Sequence, residues 1–225
     1  MGQSGSIVTS SDGNSWTERT SGSSEDLRGI TYGNGLFVTV GMIATILTSS
    51  DGNSWTNRSS GTYSPLFGVT YGNGLFVSVG YYGTLLTSPD GITWTKKDVR
   101  YNSLYGVTYG NGLFVTVGGS GSLLTSSDGN SWTKRTPGTS NELNGVTYGN
   151  GLFVTVGSSG IILTSSDGNS WRGKDTRHST LRRVTYGNST FVTVGGTILT
   201  SSDGNSWTKS YDGTSYQLNG VTYSQ

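Results

Sequence analysis

Thirteen carboxylates supply most of the acid–base chemistry open to this sequence, and six of them repeat. Asp12, Asp51, Asp90, Asp128, Asp167 and Asp203 each stand in the block SSDGNSW or a close variant. A cation array is one reading of such a series. Each aspartate, however, belongs to its own copy of the block. An Asp at the start of a turn accepts hydrogen bonds from the backbone two residues on. The six are therefore expected to shape turns, and no metal or other cofactor is expected. The other seven carboxylates are Glu18, Glu25, Asp26, Asp98, Glu142, Asp175 and Asp212. A glycosidase needs two carboxylates roughly 5–10 Å apart across one cleft. Nothing in the spacing pairs any two of these, so no enzyme is expected.

Cations gather in the stretch WRGKDTRHSTLRRVTYGNST, with Arg172, Lys174, Arg177, His178, Arg182 and Arg183. Such a cluster could hold a phosphate, a sulfate or an acidic sugar through bidentate arginine contacts. The competing reading is a solvated basic face, partly neutralised by Asp175. A second constellation is aromatic: Phe67, Tyr81, Tyr82, Tyr101 and Tyr105 fall within 39 residues, in segments that differ from copy to copy. Clustered aromatics suit sugar rings or protein partners.

Composition narrows the field. The chain has 225 residues, of which 37 are Gly, 3 Pro, 2 Met, 1 His and none Cys. Disulfide scaffolds, thiolate metal sites and cysteine nucleophiles are excluded, as are histidine-rich metal motifs. A net charge of +1 argues against a nucleic-acid binder. No apolar run approaches the roughly 18 residues of a membrane helix. Six Trp, 13 Tyr and 6 Phe are enough aromatic mass to build cores, which argues against disorder.

The elements that must position these residues are set by an internal repeat. Trp16, Trp55, Trp94, Trp132, Trp171 and Trp207 are 39, 39, 38, 39 and 36 residues apart. Each unit reads as four short strands: A (LNGVTYG), B (LFVTVG), C (ILTSS) and D (SWTKR). They are rich in Val, Ile, Leu, Thr and aromatics. Gly-Asn-Gly separates A from B and Asp-Gly-Asn separates C from D, as expected of tight antiparallel hairpins. No apolar period near 3.6 is present, so essentially no helix is expected. Four antiparallel strands in about 39 residues form the blade of a β-propeller. The expected fold is an all-β, six-bladed propeller filling residues 1–225 as one domain. The Trp of strand D and the Leu-Phe-Val of strand B are expected to pack between blades.

S-S-D-G-N-S-W resembles the Asp-box of bacterial neuraminidase repeats, S-x-D-x-G-x-T-W. The longer pattern YGNGLFVTVG…ILTSSDGNSWT is similar to repeats of uncharacterised bacterial propeller proteins. The resemblance covers almost the whole chain. It departs in one respect, since Asp and Trp are four residues apart here and five in the Asp-box. It implies a fold and a turn on propeller blades. A sialidase activity would need an arginine triad, a Tyr–Glu pair and an acidic Asp, and no motif assigns those roles here. The resemblance favours a secreted or cell-surface bacterial protein, although MGQSGSIVTSSDG has neither the basic start nor the apolar run of a signal peptide.

Comparison of the copies separates a repetitive end from a variable one. The A–B and C–D turns barely change, whereas the D–A and B–C connections change in nearly every copy. Loops on a rigid scaffold commonly carry binding residues, although free drift after duplication would also produce the contrast. The expected ligand site is therefore Arg28, Phe67, Tyr81, Tyr82, Tyr101, Tyr105, Asn144, Arg182 and Asn219, with Arg172, Lys174, Arg177 and Arg183 as a basic cluster. The expected function is a non-catalytic recognition module for a glycan. The alternative is a structural or assembly scaffold, natural or designed. The N-terminal MGQSGSIVTSSDG aligns with the end of B and the start of C, and GVTYSQ aligns with strand A. The closing blade is thus expected to lack strand B, giving 23 strands. That open slot could accept a strand from a peptide or second chain. No nucleic acid or membrane partner is expected, and the chain is expected to be a monomer.

Overall fold

A computed structural model describes residues 1–97, 99, 101–176, 178–210 and 217–223. They fall into two compact units, residues 1–103 and 104–225. The first unit holds three antiparallel sheets. Sheet one pairs β1 (Ile7–Thr9) with β2 (Thr17–Arg19). Sheet two runs β3 (Leu27–Gly33), β4 (Leu36–Gly41), β5 (Ile46–Ser49), β6 (Thr56–Arg58). Sheet three runs β7 (Leu66–Gly72), β8 (Leu75–Gly80), β9 (Leu85–Ser88), β10 (Thr95–Lys97).

The second unit repeats the pattern. Sheet four is β11 (Leu104–Gly110), β12 (Leu113–Gly118), β13 (Leu123–Ser126) and β14 (Thr133–Lys134). Sheet five is β15 (Leu143–Gly149), β16 (Leu152–Gly157), β17 (Ile161–Ser165) and β18 (Arg172–Asp175). Sheet six is β19 (Leu181–Gly187), β20 (Thr190–Gly195), β21 (Ile198–Ser201) and β22 (Thr208–Ser210). Every full sheet is a simple meander, with sequence order equal to spatial order. Strands A, B, C and D of the sequence therefore correspond to its first through fourth strands.

The turns form for the reasons their residues suggest. In the A–B hairpin of sheet two, Asn34 and Gly35 take φ of 50° and 75°. Two consecutive positive φ values make the hairpin turn whose twist matches its strands. The same pair recurs up to Asn188 and Ser189, where a serine accepts φ of 58°.

Within each unit the cores lie between successive sheets. Val38, Val40 and Ile46 of sheet two pack against Leu66, Val69, Phe76 and Leu86 of sheet three, with Trp94 at the margin. Val154, Val156 and Ile162 of sheet five meet Leu181, Val184, Phe191 and Leu199 of sheet six, flanked by Trp207. The second strand of each full sheet is covered on both faces, so Val38, Thr39 and Val40 are all buried. Each full sheet also carries a ring relay: Tyr71 meets Phe76 at 4.6 Å and Phe76 meets Trp94 at 6.4 Å. Such tilted contacts add to simple area burial.

Twenty-two strands are assigned among the described residues, one fewer than the sequence suggests. The difference is 218–223, the expected sixth copy of strand A. Tyr223 nonetheless sits over Gly187 as Tyr186 sits over Gly149 and Tyr148 over Gly110. Leu218 N–H also donates to Gly195 O at 2.9 Å, as Leu27 N–H does to Gly2 O. The segment occupies the place of an A strand. In the full sheets strand A is hydrogen-bonded to strand B of its own sheet, and 218–223 has no such partner among the described residues.

Candidate functional site

The C–D turns account for the six repeated aspartates. In sheet two, Asp51 Oδ1 accepts Asn53 N–H at 2.8 Å, Ser54 N–H at 2.9 Å and the Ser49 hydroxyl at 2.9 Å. Ser49 Oγ in turn accepts Gly52 N–H at 2.8 Å, and Trp55 Nε1–H donates to Gly52 O at 3.2 Å. The other five turns reproduce this arrangement around Asp12, Asp90, Asp128, Asp167 and Asp203. Backbone N–H groups at Ser15, Ser54, Thr93, Ser131, Ser170 and Ser206 are the leading cause that holds each carboxyl at about 2, against a usual value of 3.8. These groups stay ionised and are committed to the turn.

At the opposite end of each sheet lie the B–C and D–A connections. Here the structure adds something that sequence variability concealed. Five B–C connections, three of them ending in Ser-Gly and the others Met-Ile-Ala and Tyr-Tyr-Gly, share one single-turn 3₁₀ shape at Gln3–Gly5, Met42–Ala44, Tyr81–Gly83, Gly119–Gly121 and Ser158–Gly160. Their middle residues, Ser4, Ile43, Tyr82, Ser120 and Ser159, all have φ between 49° and 58°. That left-handed region is unfavourable for a β-branched residue such as Ile43. The D–A connection of the same sheet closes over this turn. A Cβ at Gly83 would stand 2.6 Å from Tyr101 O, and one at Gly121 would stand 2.1 Å from Thr139 O. The two variable connections of a sheet are therefore locked together.

The variable residue of strand A is also positioned by a specific device. Register shifts between Leu27 and Gly29, Leu66 and Gly68, Leu104 and Gly106, Leu143 and Gly145, and Leu181 and Arg183. Arg28, Phe67, Tyr105, Asn144 and Arg182 are thus the extra residues of β-bulges, which re-aim a side chain. The next residue's carbonyl is fixed by a hydroxyl of the neighbouring strand. Thr39 donates to Gly29 O at 2.9 Å and Thr116 to Gly106 O at 2.9 Å.

Several of these bulge residues are engaged. Arg28 Nη2 pairs with Asp26 Oδ2 at 2.9 Å. Asn144 Nδ2 donates to Leu181 O at 2.9 Å, and Arg182 bonds Gln217 Oε1. Burial first, and Glu142 second, push the Tyr105 hydroxyl pKa upward. Asn219 is exposed in 218–223.

Among the described residues, the basic ones of this stretch are shared between two sheets. Arg172 and Lys174 lie on β18, the outermost strand of sheet five, with Lys174 Nζ on Asn205 O at 3.2 Å. Arg182 and Arg183 lie on β19, the innermost strand of sheet six. Arg183 Nη1 donates to Asn144 O and Arg182 O, both at 2.9 Å. Arg177 lies outside the described residues.

The aromatic residues fare differently. In the first unit, the rings of Tyr81 and Tyr82 are 4.0 Å apart, and Tyr82 is 76% exposed. Tyr82 N–H donates to Ser103 Oγ at 3.2 Å, which ties the turn to the D–A connection. The Tyr101 backbone packs on Gly83 of the same turn, and Phe67 sits half-buried on β7. Tyr105 belongs to the second unit. Two residues outside the expected site share this end of sheet two: Ile43 is 61% exposed and Tyr63 is 91% exposed. Their signal was present in the sequence as apolar residues at a variable connection.

No family model matches the chain, and no curated protein matches it. Solved structures do. YCF48 bound to D1 peptide superposes with a TM-score of 0.71 at 19% identity, covering 92% of this chain and 75% of that one. The WD40 β-propeller domain of Doa1 gives 0.73 at 14%, covering 91% and 74%. The computationally designed Ika8 protein gives 0.70 at 12%, covering 100% and 77%. The fold is a β-propeller. Its blades are the six sheets, five of four antiparallel strands and one of two.

Proposed function

We propose that this propeller is a non-catalytic recognition module that binds a peptide or protein segment at the loop end of its blades. The observation that carries the reading is the Tyr81–Tyr82 pair. Two rings in tilted contact stand on a turn whose Tyr82 is left-handed, and one of them is three-quarters exposed. Holding a large aromatic out of a core costs solvation free energy, and rigid exposed tyrosines are effective contact residues because little side-chain entropy is lost on binding. Ile43 and Tyr63 extend the same apolar character across the adjacent blade. Fold-level likeness to YCF48, whose partner in one structure is the D1 peptide, supports a peptide as the first ligand class. A glycan is the second reading, favoured by the open ring of Tyr82, since sugar rings stack on aromatic faces. A scaffold without a ligand is a third, supported by likeness to the designed Ika8 across the whole chain.

Parallel peptide and glycan arrays test these readings, with wild type and Tyr82→Ala compared. Peptide hits that fall at least tenfold in Tyr82→Ala are the expected result. Glycan hits with the same sensitivity support the second reading. No hit on either array, or hits indifferent to Tyr82→Ala, remove the loop end as the binding site.

A further inference from the structure

Four A–B turns expose the same dipeptide in the same shape. Asn34-Gly35, Asn73-Gly74, Asn111-Gly112 and Asn150-Gly151 are exposed, with φ of 47–50° at Asn and 74–75° at Gly. A Cβ at any of these glycines would meet nothing within 4 Å. No acceptor holds the N–H of any of the four glycines among the described residues. Elsewhere the corresponding groups are committed. At Asn144-Gly145, Asn144 Nδ2 donates to Leu181 O at 2.9 Å, and Gly145 is buried with Arg182 O 3.0 Å from the place of a Cβ. In the Asp turns each asparagine precedes a serine whose N–H is bound by the aspartate, as Ser54 N–H is by Asp51 at 2.9 Å. The Asp-Gly pairs of those turns are held as well. Asp51 stays ionised, with its carboxyl at about 2, and Gly52 N–H donates to Ser49 Oγ at 2.8 Å.

We propose that Asn34, Asn73, Asn111 and Asn150 are modification sites, at which the chain deamidates itself. Gly35 N, on losing its proton, attacks Asn34 Cγ. The N–Cγ bond forms, the Cγ–Nδ2 bond breaks, and Nδ2 leaves as ammonia with that proton. Water then opens the cyclic imide at one carbonyl to give Asp, or at the other to give iso-Asp. Glycine favours the step because it has no Cβ to screen its nitrogen and allows close backbone approach. The aspartates of the Asp turns do not follow this route, because an ionised carboxylate is a poor electrophile and their glycine nitrogens are hydrogen-bonded. Each event adds one negative charge to a chain whose formal net charge is +1. Iso-Asp also puts one extra carbon into the backbone of a two-residue turn whose twist is matched to its strands. The reaction needs only water, so it stands or falls independently of the loop-end reading.

The test incubates the folded chain in warm, mildly alkaline H2¹⁸O and maps its peptides by mass, each opened imide carrying in one ¹⁸O. The expected result is label at Asn34, Asn73, Asn111 and Asn150, appearing at least tenfold faster than at Asn144 or at the Asn-Ser pairs of the Asp turns. In urea, Asn144 should rise to the rate of the four. The fifth A–B turn has Asn188-Ser189, with Ser189 at φ of 58°. Ser189→Gly fits that backbone and should bring Asn188 up to the rate of the four. Gly151→Ala should slow Asn150 at least tenfold and leave Asn34 as it was. Absence of label at the four in the folded chain overturns the proposal. So does folded-state label at Asn144 as fast as at Asn34, or an Asn188 left slow by Ser189→Gly.

Discussion

Gly149→Ala isolates the contact on which the stacking of innermost strands depends. Gly149 ends β15, and the Tyr186 ring of the next sheet lies directly on its Cα. A Cβ there would stand 2.1 Å from Tyr186 Cγ and 2.3 Å from Cδ1. Ordinary carbon contacts lie at roughly 3.5–4.0 Å, so the ring would have to retreat by about 1.4 Å or more. It has little room, because Phe191 is 4.6 Å away and Tyr186 packs against the Val154–Phe191 core. Overpacking of this kind costs about 3 kcal/mol, at the upper end of its usual range. With a urea m-value of about 2 kcal/mol/M, the midpoint falls by about 1.5 M. Gly151→Ala is the control: its φ is 75° with nothing within 4 Å, so only backbone strain of about 1 kcal/mol is added. Adding Tyr186→Ala to Gly149→Ala should remove most of the clash and give a coupling of about 2 kcal/mol in the cycle. Gly187→Ala should cost less than half as much as Gly149→Ala, because its partner Tyr223 is 46% exposed in a segment with no strand partner among the described residues. A Gly149→Ala midpoint no lower than that of Gly151→Ala would mean that the Tyr186 ring moves aside at no cost.

Three further outcomes follow from the structure. The six turn carboxylates titrate at about 2 when folded and near 3.8 when free. Their contribution is therefore complete above about pH 4 and is lost as pH falls towards 2. Urea midpoints should be flat from pH 7 to 5 and drop steeply between 4 and 2; a flat profile down to pH 2 contradicts the turn chemistry. The Thr197 hydroxyl is buried with no hydrogen-bond partner among the described residues. Thr197→Val should raise the melting temperature by about 3 °C, from removal of about 1 kcal/mol of desolvation cost; a lower melting temperature would mean that the hydroxyl has a role. Ile43→Gly should stabilise by about 0.5–1 kcal/mol, since the relieved left-handed strain exceeds the entropy lost by glycine. Equal or lower stability in thermal melts would show that Ile43 packing outweighs its backbone strain.

Much of this fold is legible in the sequence because local and global signals agree. Asn34-Gly35 and Asp51-Gly52 are turn pairs whose φ preferences match the turns observed. The inter-sheet placing of Leu36, Val38 and Trp94 follows from apolar runs too continuous for a sheet with one wet face. What stays hidden is geometry that cuts across residue preference. Ile43 and Tyr82 give no hint of positive φ; a glycine one residue later marks the turn at Gly5, Gly83, Gly121 and Gly160, but Ile43 is followed by Ala44, itself at φ of 54°. The B–C connections therefore look divergent in sequence while sharing one backbone. The basic stretch looks contiguous in sequence, but the fold sends Arg172 to an outer strand and Arg183 to an inner one. The bulges at Arg28, Phe67, Tyr105 and Asn144 are marked by the following Gly, which reads equally well as a strand glycine of another kind, and the one at Arg182 is followed by Arg183. In the site, Tyr81 and Tyr82 are legible because they are aromatic residues where the other copies have none, among them Gly119-Ser120 and Ser158-Ser159. Arg28, Asn144 and Arg182 fit their own surroundings, with Asp26, Leu181 and Gln217 as partners that sequence spacing alone does not connect.

The most direct test of the central claim is amide chemical-shift mapping of the ¹⁵N-labelled chain with the best array ligand. Shifts are expected only at the loop end, at Ile43, Tyr63, Tyr82 and Tyr101, with the Asp-turn amides of Gly52, Asn53, Gly91 and Ile92 unmoved. Shifts centred on those turn amides, with the tyrosines silent, would contradict it.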